Sequence, residues 1–423
     1  MQPVQSWKKK TVLFLVSQNL SLFGSMLVQY AIMWHITLTT QSGFMMTISI
    51  LCGFIPTLLI SPFAGVWADR FDRKRVIIIS DALIAVATLG MAISFALGFN
   101  AIWQLFTVLA IRSLGTGVQT PAVSALLPQI VPADQLTRVN GIQNSVMSLV
   151  TIASPLLSGA LLTLSPIEHI FLIDVGTAAL AIIILVFLLD IPAHHGVMDK
   201  QPINYMNDLR DGIRYIREHE FIHILFLYCA LFFVCFSPVA FLTPLQTTRS
   251  YGADVWRLTA IEVAFSGGMM FGGFLIAAWQ GFHNKLHTMI LSLGLSAICI
   301  VGLGLTPPFW LYLAGMAIMG ITMPLFNTPF TVLLQQKVDE RYLGRVFSVF
   351  TMISSSVMPL SMLLFGPLAD TMRIEWMLLA TGLLMLIEAV FMLRNKRLIR
   401  AGLPLTQKNN ARATDTRVPN ITE

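Results

Sequence analysis

The sequence predicts an all-α membrane protein, with twelve transmembrane helices in two six-helix bundles. Three observations carry that reading. Of 423 residues, 56% are hydrophobic and 11% charged, with a mean hydropathy of +0.75, a composition that excludes a soluble globular protein. Apolar runs recur near 12–36, 44–64, 76–97, 103–123, 143–164 and 169–189, and again near 221–245, 257–280, 288–305, 309–333, 346–367 and 376–393. A helix of about 18 or more such residues crosses the ~30 Å hydrocarbon layer of a bilayer. The second set also repeats the first. Thr120 and Pro121 are echoed by Thr328 and Pro329, 208 residues on, and Leu136, Arg138 and Val139 by Leu343, Arg345 and Val346, 207 on. Two parallel repeats of six helices, with a site between them near the bilayer midplane, is a transporter architecture.

Residues 1–190 are expected to form the N-terminal bundle, 191–220 a cytoplasmic linker, 221–393 the C-terminal bundle and 394–423 a basic cytoplasmic tail. In the linker Leu209, Ile213 and Ile216 are interleaved with Arg210, Arg214 and Arg217, the pattern of an amphipathic helix lying on the inner membrane face. Trp7, Lys8, Lys9 and Lys10 precede an apolar run too long for a signal-peptide core, so that run is the first span. Orientation follows from the basic residues. With the N-terminus inside, 23 of the 27 Lys and Arg are cytoplasmic, Arg249, Arg257 and Arg373 fall outside, and Arg112 lies within a span. The opposite topology puts the larger set on the wrong face, so both termini are expected in the cytoplasm. The pI near 9.3 is therefore a topology signal, not a nucleic-acid footprint. Cys52, Cys229, Cys235 and Cys299 all lie in apolar runs, with no disulfide framework or metal spacing.

A short, densely charged turn joins the second and third spans: Gly65, Asp69, Arg70, Asp72, Arg73, Lys74 and Arg75. Spans joined by so few residues lie antiparallel and in contact. Gly65 permits close backbone approach, Asp69 sits where the second span ends, and the cations hold the turn inside. A merely positive-inside loop accounts for the cations but not for Gly and Asp at fixed offsets. Just over a turn into the third span, Asp81 is expected to reach the interface or the loop cations and to be structural.

Other polar residues lie within apolar spans, where they need protein or water as a partner. On the first span Gln18, Ser21, Ser25 and Gln29 fall near one helical face. Gln18, Ser25 and Gln29, with Gln119 on the fourth span, are candidate substrate-cavity residues; interhelical hydrogen bonding is the competing account. Arg112 stands near the middle of the fourth span, followed by Gly115 and Gly117. A mid-bilayer Arg costs about 2.5–3.5 kcal/mol on insertion scales, so it has either a function or a buried ion-pair partner. Pro155, between Ser154 and the pair Ser158 and Gly159, suits a kinked, closely packed fifth span. Asp174 lies in the sixth span and Glu262 about a turn inside the outer end of the eighth, ahead of Gly267, Gly268, Gly272 and Gly273, a small-residue packing face. Near the end of the twelfth span Glu388 is expected to snorkel to the surface. The second half has no counterpart to Arg112, since the position 208 residues beyond it is Gly320.

His219, Glu220 and His223 make an H-E-x-x-H match, the pattern of zinc hydrolases. An intramembrane metalloprotease is thus a rival reading from a different class. A catalytic zinc wants a third converging ligand, and no further motif supplies one, so no metal site is expected.

The charged turn resembles the loop 2–3 signature of the major facilitator superfamily, departing from it at Asp72, where that family more often has Gly. Arg112 with Gly115 and Gly117 resembles the fourth-helix signature of proton-coupled members, in which the Arg is associated with proton transfer. Pro155 and Gly159 resemble the fifth-helix signature of the antiporter branch, with Ser154 and Ser158 at two of its Gly positions. The turn through Lys74, the stretch from Ile111 to Ala122, Asp174, Glu262 with Phe265, and Tyr342 through Ser348 together are similar to Mef-type macrolide efflux proteins. The resemblance implies a multi-pass transporter of a bacterial cytoplasmic membrane, exporting a drug or macrolide-like molecule by alternating access. It implies proton antiport, with Arg112, Asp174 and Glu262 as coupling residues and the proton gradient in place of a cofactor. A siderophore or metabolite exporter of the same fold is the alternative. The expected partners are a small-molecule substrate and the lipid bilayer, with no nucleic acid, and the expected state is a monomer.

Overall fold

Chains of this hydropathy can satisfy their backbone in a bilayer only by forming helices or a closed barrel, and here they form helices. A computed structural model describes residues 4–189 and 205–402, apart from the side chains of residues 4–6, 62, 66, 69, 205–208 and 401, and contains no strand among the described residues. The first six spans are α1 (Val4–Thr40), α2 (Gly43–Arg70), α3 (Arg73–Ala96), α4 (Ile102–Ile130), α5 (Leu136–Leu164) and α6 (Ile167–Ile183), the last continued by a π-helical turn, Ile184–Leu188. A short amphipathic helix, α7 (Tyr205–Glu218), leads into α8 (Glu220–Tyr251), α9 (Val255–Trp279), α10 (Lys285–Gly304), α11 (Phe309–Lys337), α12 (Glu340–Thr371), α13 (Ile374–Arg394) and the six-residue α14 (Lys396–Ala401). Eleven of the described helices are long and apolar enough to cross a membrane. The twelfth span is α4, whose hydropathy is lowered by Arg112, Gln104 and Gln119.

Helix ends follow local chemistry more closely than the apolar runs do. Ser42 caps α2 by accepting from the Met45 amide at 3.3 Å, and Asp72 caps α3 by accepting from the Arg75 amide at 3.2 Å. That N-cap gives the acid at position 72 a purpose Gly would not serve. The stretch between the fourth and fifth apolar runs is mostly helix. Pro121 and Pro128 lie inside α4, and only Val131 to Gln135 separates it from α5. Packed neighbours let a spanning helix tolerate the amide each Pro removes.

The chain divides into two compact units. One comprises Met1–Ile203 with Pro244–Val263 and Gly366–Asp370; the other comprises Asn204–Thr243, Ala264–Phe365 and Thr371–Glu423. The division departs from the repeat boundary, because parts of α8, α9 and α12 cluster with the first six helices.

In the first unit one core cluster is built on Leu27, Ile32, Leu105, Ile170 and Phe171, and a second on Phe14, Ile77, Ala122, Leu126 and Leu185. A clasp joins the start of α2 to the end of α12. Asp370 accepts from the Gly43 amide at 2.7 Å, the Phe44 amide at 2.9 Å and the Ser42 hydroxyl at 2.7 Å. Arg249, from the end of α8, pairs with Asp370 at 3.1 Å and donates to the Gln41 and Ala369 carbonyls. A carboxylate on the exposed amides of a helix N-terminus is favourable both as hydrogen bonding and against the helix dipole. Gly43 and Gly366 meet beside it: a Cβ on Gly366 would lie 2.8 Å from the Gly43 carbonyl oxygen and closer still to the Thr47 hydroxyl.

The second unit is held by aromatic rings, with Phe232 stacked on Phe326 at 4.1 Å and Phe330 against Phe350 at 4.3 Å. Gly320, the repeat counterpart of Arg112, lets α11 press on α9; a Cβ there would lie 2.7 Å from the Met269 amide nitrogen. Gly268 and Gly272 face α11 in the same way, whereas Gly267 and Gly273 meet nothing. The small-residue face is thus half as wide as its sequence suggests. On α7, Tyr215 and Ile216 are buried, and Asp211 pairs with Arg345 of α12 at 3.3 Å. Part of this helix's apolar face therefore packs on protein.

Glu388 does not snorkel. It is 3% exposed, and neither carboxyl oxygen has a hydrogen-bond partner. A buried polar group without a partner carries a desolvation penalty of about 1–3 kcal/mol, which an apolar group of similar shape removes. Glu388→Met is therefore expected to stabilise the protein by roughly that amount. Thermal unfolding in detergent checks this, and a lowered midpoint would show that the carboxyl is engaged.

Candidate functional site

The polar residues of α1, α3, α4 and α6 converge inside the first unit as two rungs. Arg112 forms the first. It is 6% exposed, and its Nη1 donates to Asp174 Oδ2 and Thr88 Oγ1 while Nη2 donates to the Ser25 carbonyl oxygen at 3.2 Å. Four helices thus meet at one guanidinium. Its partner Asp174 is 1% exposed, and Oδ1 of that carboxylate has no hydrogen-bond partner. Gly24 makes this possible, because a Cβ there would lie 2.9 Å from Asp174 Oδ1 and block the approach of α1 to α6.

The second rung is centred on Asp81, also 1% exposed. Its Oδ1 accepts from Ser21 Oγ at 2.7 Å and from Gln119 Nε2 at 2.8 Å, and its Oδ2 is buried without a partner. Asp81 therefore reaches neither the interface nor the loop cations. Two of those cations are engaged elsewhere: Arg73 donates to the Ala68 and Ala125 carbonyls at 2.9 and 2.8 Å, and Lys74 to the Leu189 carbonyl at 2.6 Å. The charged turn is a staple across the ends of α2, α4 and α6. Gly65 is half-buried and Arg70 exposed in the last turns of α2; the Asp69 side chain lies outside the described residues.

The polar stripe of α1 is divided between tasks. Gln18 is buried with Nε2 unpartnered, Ser21 serves Asp81, Ser25 offers its carbonyl to Arg112, and Gln29 is exposed. Gln119 donates to Asp81. On α5, Ser158 donates to the Leu27 carbonyl at 3.1 Å, and a Cβ on Gly159 would meet Thr259 of α9. Pro155 is buried at the same helix crossing. Thr57 and Ser113 stitch α2 to α4, with Thr57 Oγ1 donating to the Ser113 carbonyl at 2.7 Å.

The structure brings Arg112 and Asp174 together and does not bring Glu262 to them. Glu262 is half-buried on α9, one turn beyond Thr259. The residues of the histidine motif are exposed, and two of them are engaged with other partners. His219 stacks on Tyr215 at 4.0 Å and its Nδ1 bonds the Tyr215 carbonyl at 2.9 Å, while Glu220 pairs with Arg397 at 3.5 Å. No cluster of three or more His, Cys, Asp or Glu able to hold a metal occurs among the described residues.

A family model described as the Major Facilitator Superfamily matches residues 11–362. Macrolide efflux protein A of Streptococcus pyogenes is 30% identical, over 92% of this chain and 96% of that protein. The multidrug efflux pump Tap of Mycobacterium bovis is 25% identical, over 78% of this chain and 80% of its own length. Among solved structures, a bacterial homolog of the human lysosomal transporter Spinster, inward-facing and unoccupied, gives a TM-score of 0.68 at 15% identity, over 95% of this chain and 99% of that one. A peptide transporter, POT, gives 0.70 at 13% identity, over 92% and 95%. These structural likenesses show the fold.

Proposed function

The chain belongs to the Major Facilitator Superfamily, and from that premise we propose that it exports a small amphipathic, macrolide-like drug by alternating access coupled to proton antiport. It is a transporter and not an enzyme. One observation carries the coupling: the Arg112–Asp174 pair, buried among apolar helices where an isolated charge is costly. Protonation of Asp174 cancels the attraction and releases the guanidinium, so a proton arriving there alters the contacts of α1, α3, α4 and α6 at once. The relative sharing 30% identity supports the substrate class. The stapled turn anchors the cytoplasmic end of the first unit, and Asp69 is its gating residue when access alternates. The setting is a bacterial cytoplasmic membrane with both termini inside, as the basic residues indicate.

The test is erythromycin accumulation in an efflux-deficient bacterial host expressing the protein, with and without a protonophore. Expression should lower accumulation, and the protonophore should restore it to the level of cells lacking the protein. Lowered accumulation that resists the protonophore would refute proton coupling, and unchanged accumulation the macrolide assignment.

A further inference from the structure

We propose that Asp81 is the second seat of the transported proton and the alternative partner of Arg112, a proposal that rests on the proton-antiport reading above. The two rungs are in register. On α1, Ser21 and Ser25 are one turn apart; on α3, Asp81 and Thr88 are seven residues apart; on α4, Arg112 and Gln119 are likewise seven apart. Seven residues make about two turns and ~10 Å of rise, so each helix presents the same face to both rungs. The first rung holds a cation with its carboxylate. The second holds a carboxylate with only two neutral donors and a bare, buried Oδ2.

The groups that contact Asp81 are Ser21 of α1 and Gln119 of α4. The charged residues on the same faces of the neighbouring helices are Arg112, two turns along α4, and Asp174 of α6. The ionisable residues Asp69 and Arg70 stand only at the end of α2, and the π-helical turn contributes none. Two carboxylates and one guanidinium are neutral together when they hold one proton. With Arg112 on Asp174, that proton is on Asp81. When a proton binds Asp174, forming its O–H bond, the guanidinium is released and moves down the shared face to Asp81, which gives up its own proton. Each state holds one proton and no net charge; as the guanidinium returns to Asp174, the proton held there passes to Asp81, so one full cycle carries one proton across. Asp81 lies eight residues from the start of α3, and Asp174 seven from the start of α6. In the orientation proposed above those helices begin on opposite sides of the membrane, so Asp174 loads from outside and Asp81 discharges inside.

The proposal is tested on the full-length protein in lipid vesicles, with radiolabelled erythromycin as probe. Asp81→Asn retains an oxygen for Ser21 and a similar shape. It should lower pH-gradient-driven transport by about tenfold or more while leaving erythromycin counterflow, which needs no proton, within about twofold of wild type. Asp81→Glu should restore driven transport with a displaced pH profile. Infrared difference spectra should show a protonated-carboxyl band at neutral pH that is lost in Asp81→Asn, a readout that a hydrogen-bonding spacer would not move. Undiminished gradient-driven transport by Asp81→Asn overturns the proposal, as does an unchanged infrared band, whatever happens to transport. A wild-type protein whose transport ignores the pH gradient would instead overturn the antiport reading beneath it.

Discussion

Arg112→Ala is expected to abolish gradient-driven transport and to destabilise the protein by about 3–5 kcal/mol, the cost of leaving a buried charge without its partner. The stranded group is Asp174, at 1% exposure. Arg112→Lys keeps the charge but loses the planar fork that engages Asp174, Thr88 and the Ser25 carbonyl together, so it should retain partial activity. The double variant Arg112→Met with Asp174→Leu separates structure from coupling. Replacing a buried ion pair by well-packed apolar residues is often neutral or stabilising, so the double variant should unfold near the wild-type temperature and still fail to pump. Thermal unfolding in detergent and driven uptake in vesicles are the measurements. If Arg112→Ala unfolds like wild type and still responds to the proton gradient, the pair has neither role.

Gly366→Leu should be the most damaging substitution at the clasp. Within the first unit the branched side chain would enter space held by the Thr47 hydroxyl and the Gly43 carbonyl, so α2 and α12 could not cross as they do. Overpacking of this kind costs about 1–3 kcal/mol, and each 1.4 kcal/mol or so moves a two-state equilibrium tenfold. Transport should therefore fall by about tenfold while the protein still inserts, and a cysteine introduced as Phe44→Cys should be alkylated faster. Gly366→Ala should show a smaller effect of the same sign. Unchanged transport and alkylation would mean that the crossing has room to spare.

The helices and their repeat were legible in the sequence because apolar runs are long and lipid leaves a chain few other choices. Their ends were less so. Pro121 looks like a boundary, yet lies nine residues before the end of α4, because neighbouring helices make good what a proline removes. The buried pair was hidden by a question of depth. Arg112 lies ten residues from the start of α4 and Asp174 seven from the start of α6, about 15 and 10 Å in at 1.5 Å per residue. Both helices run the same way, and the length of an arginine covers the difference. The surroundings of Asp81 are not legible for another reason. Hydropathy gives a residue's distance from the helix end but not the direction its side chain takes, and here it turns inward to Ser21 and Gln119. The use of Gly320 could be anticipated only as an absence of charge; its contact with α9 required coordinates.

The clasp at the start of α2 also bears on how such a protein can change over generations. Asp370 grips the amides of Gly43 and Phe44, and Arg249 grips the carbonyls of Gln41 and Ala369. Those groups belong to the peptide chain, so a change of side chain at position 44 leaves them in place. Most of the contact is therefore specified from one side. It can be gained or lost by a single codon without a matching change on α2, while the helices themselves stay as they are.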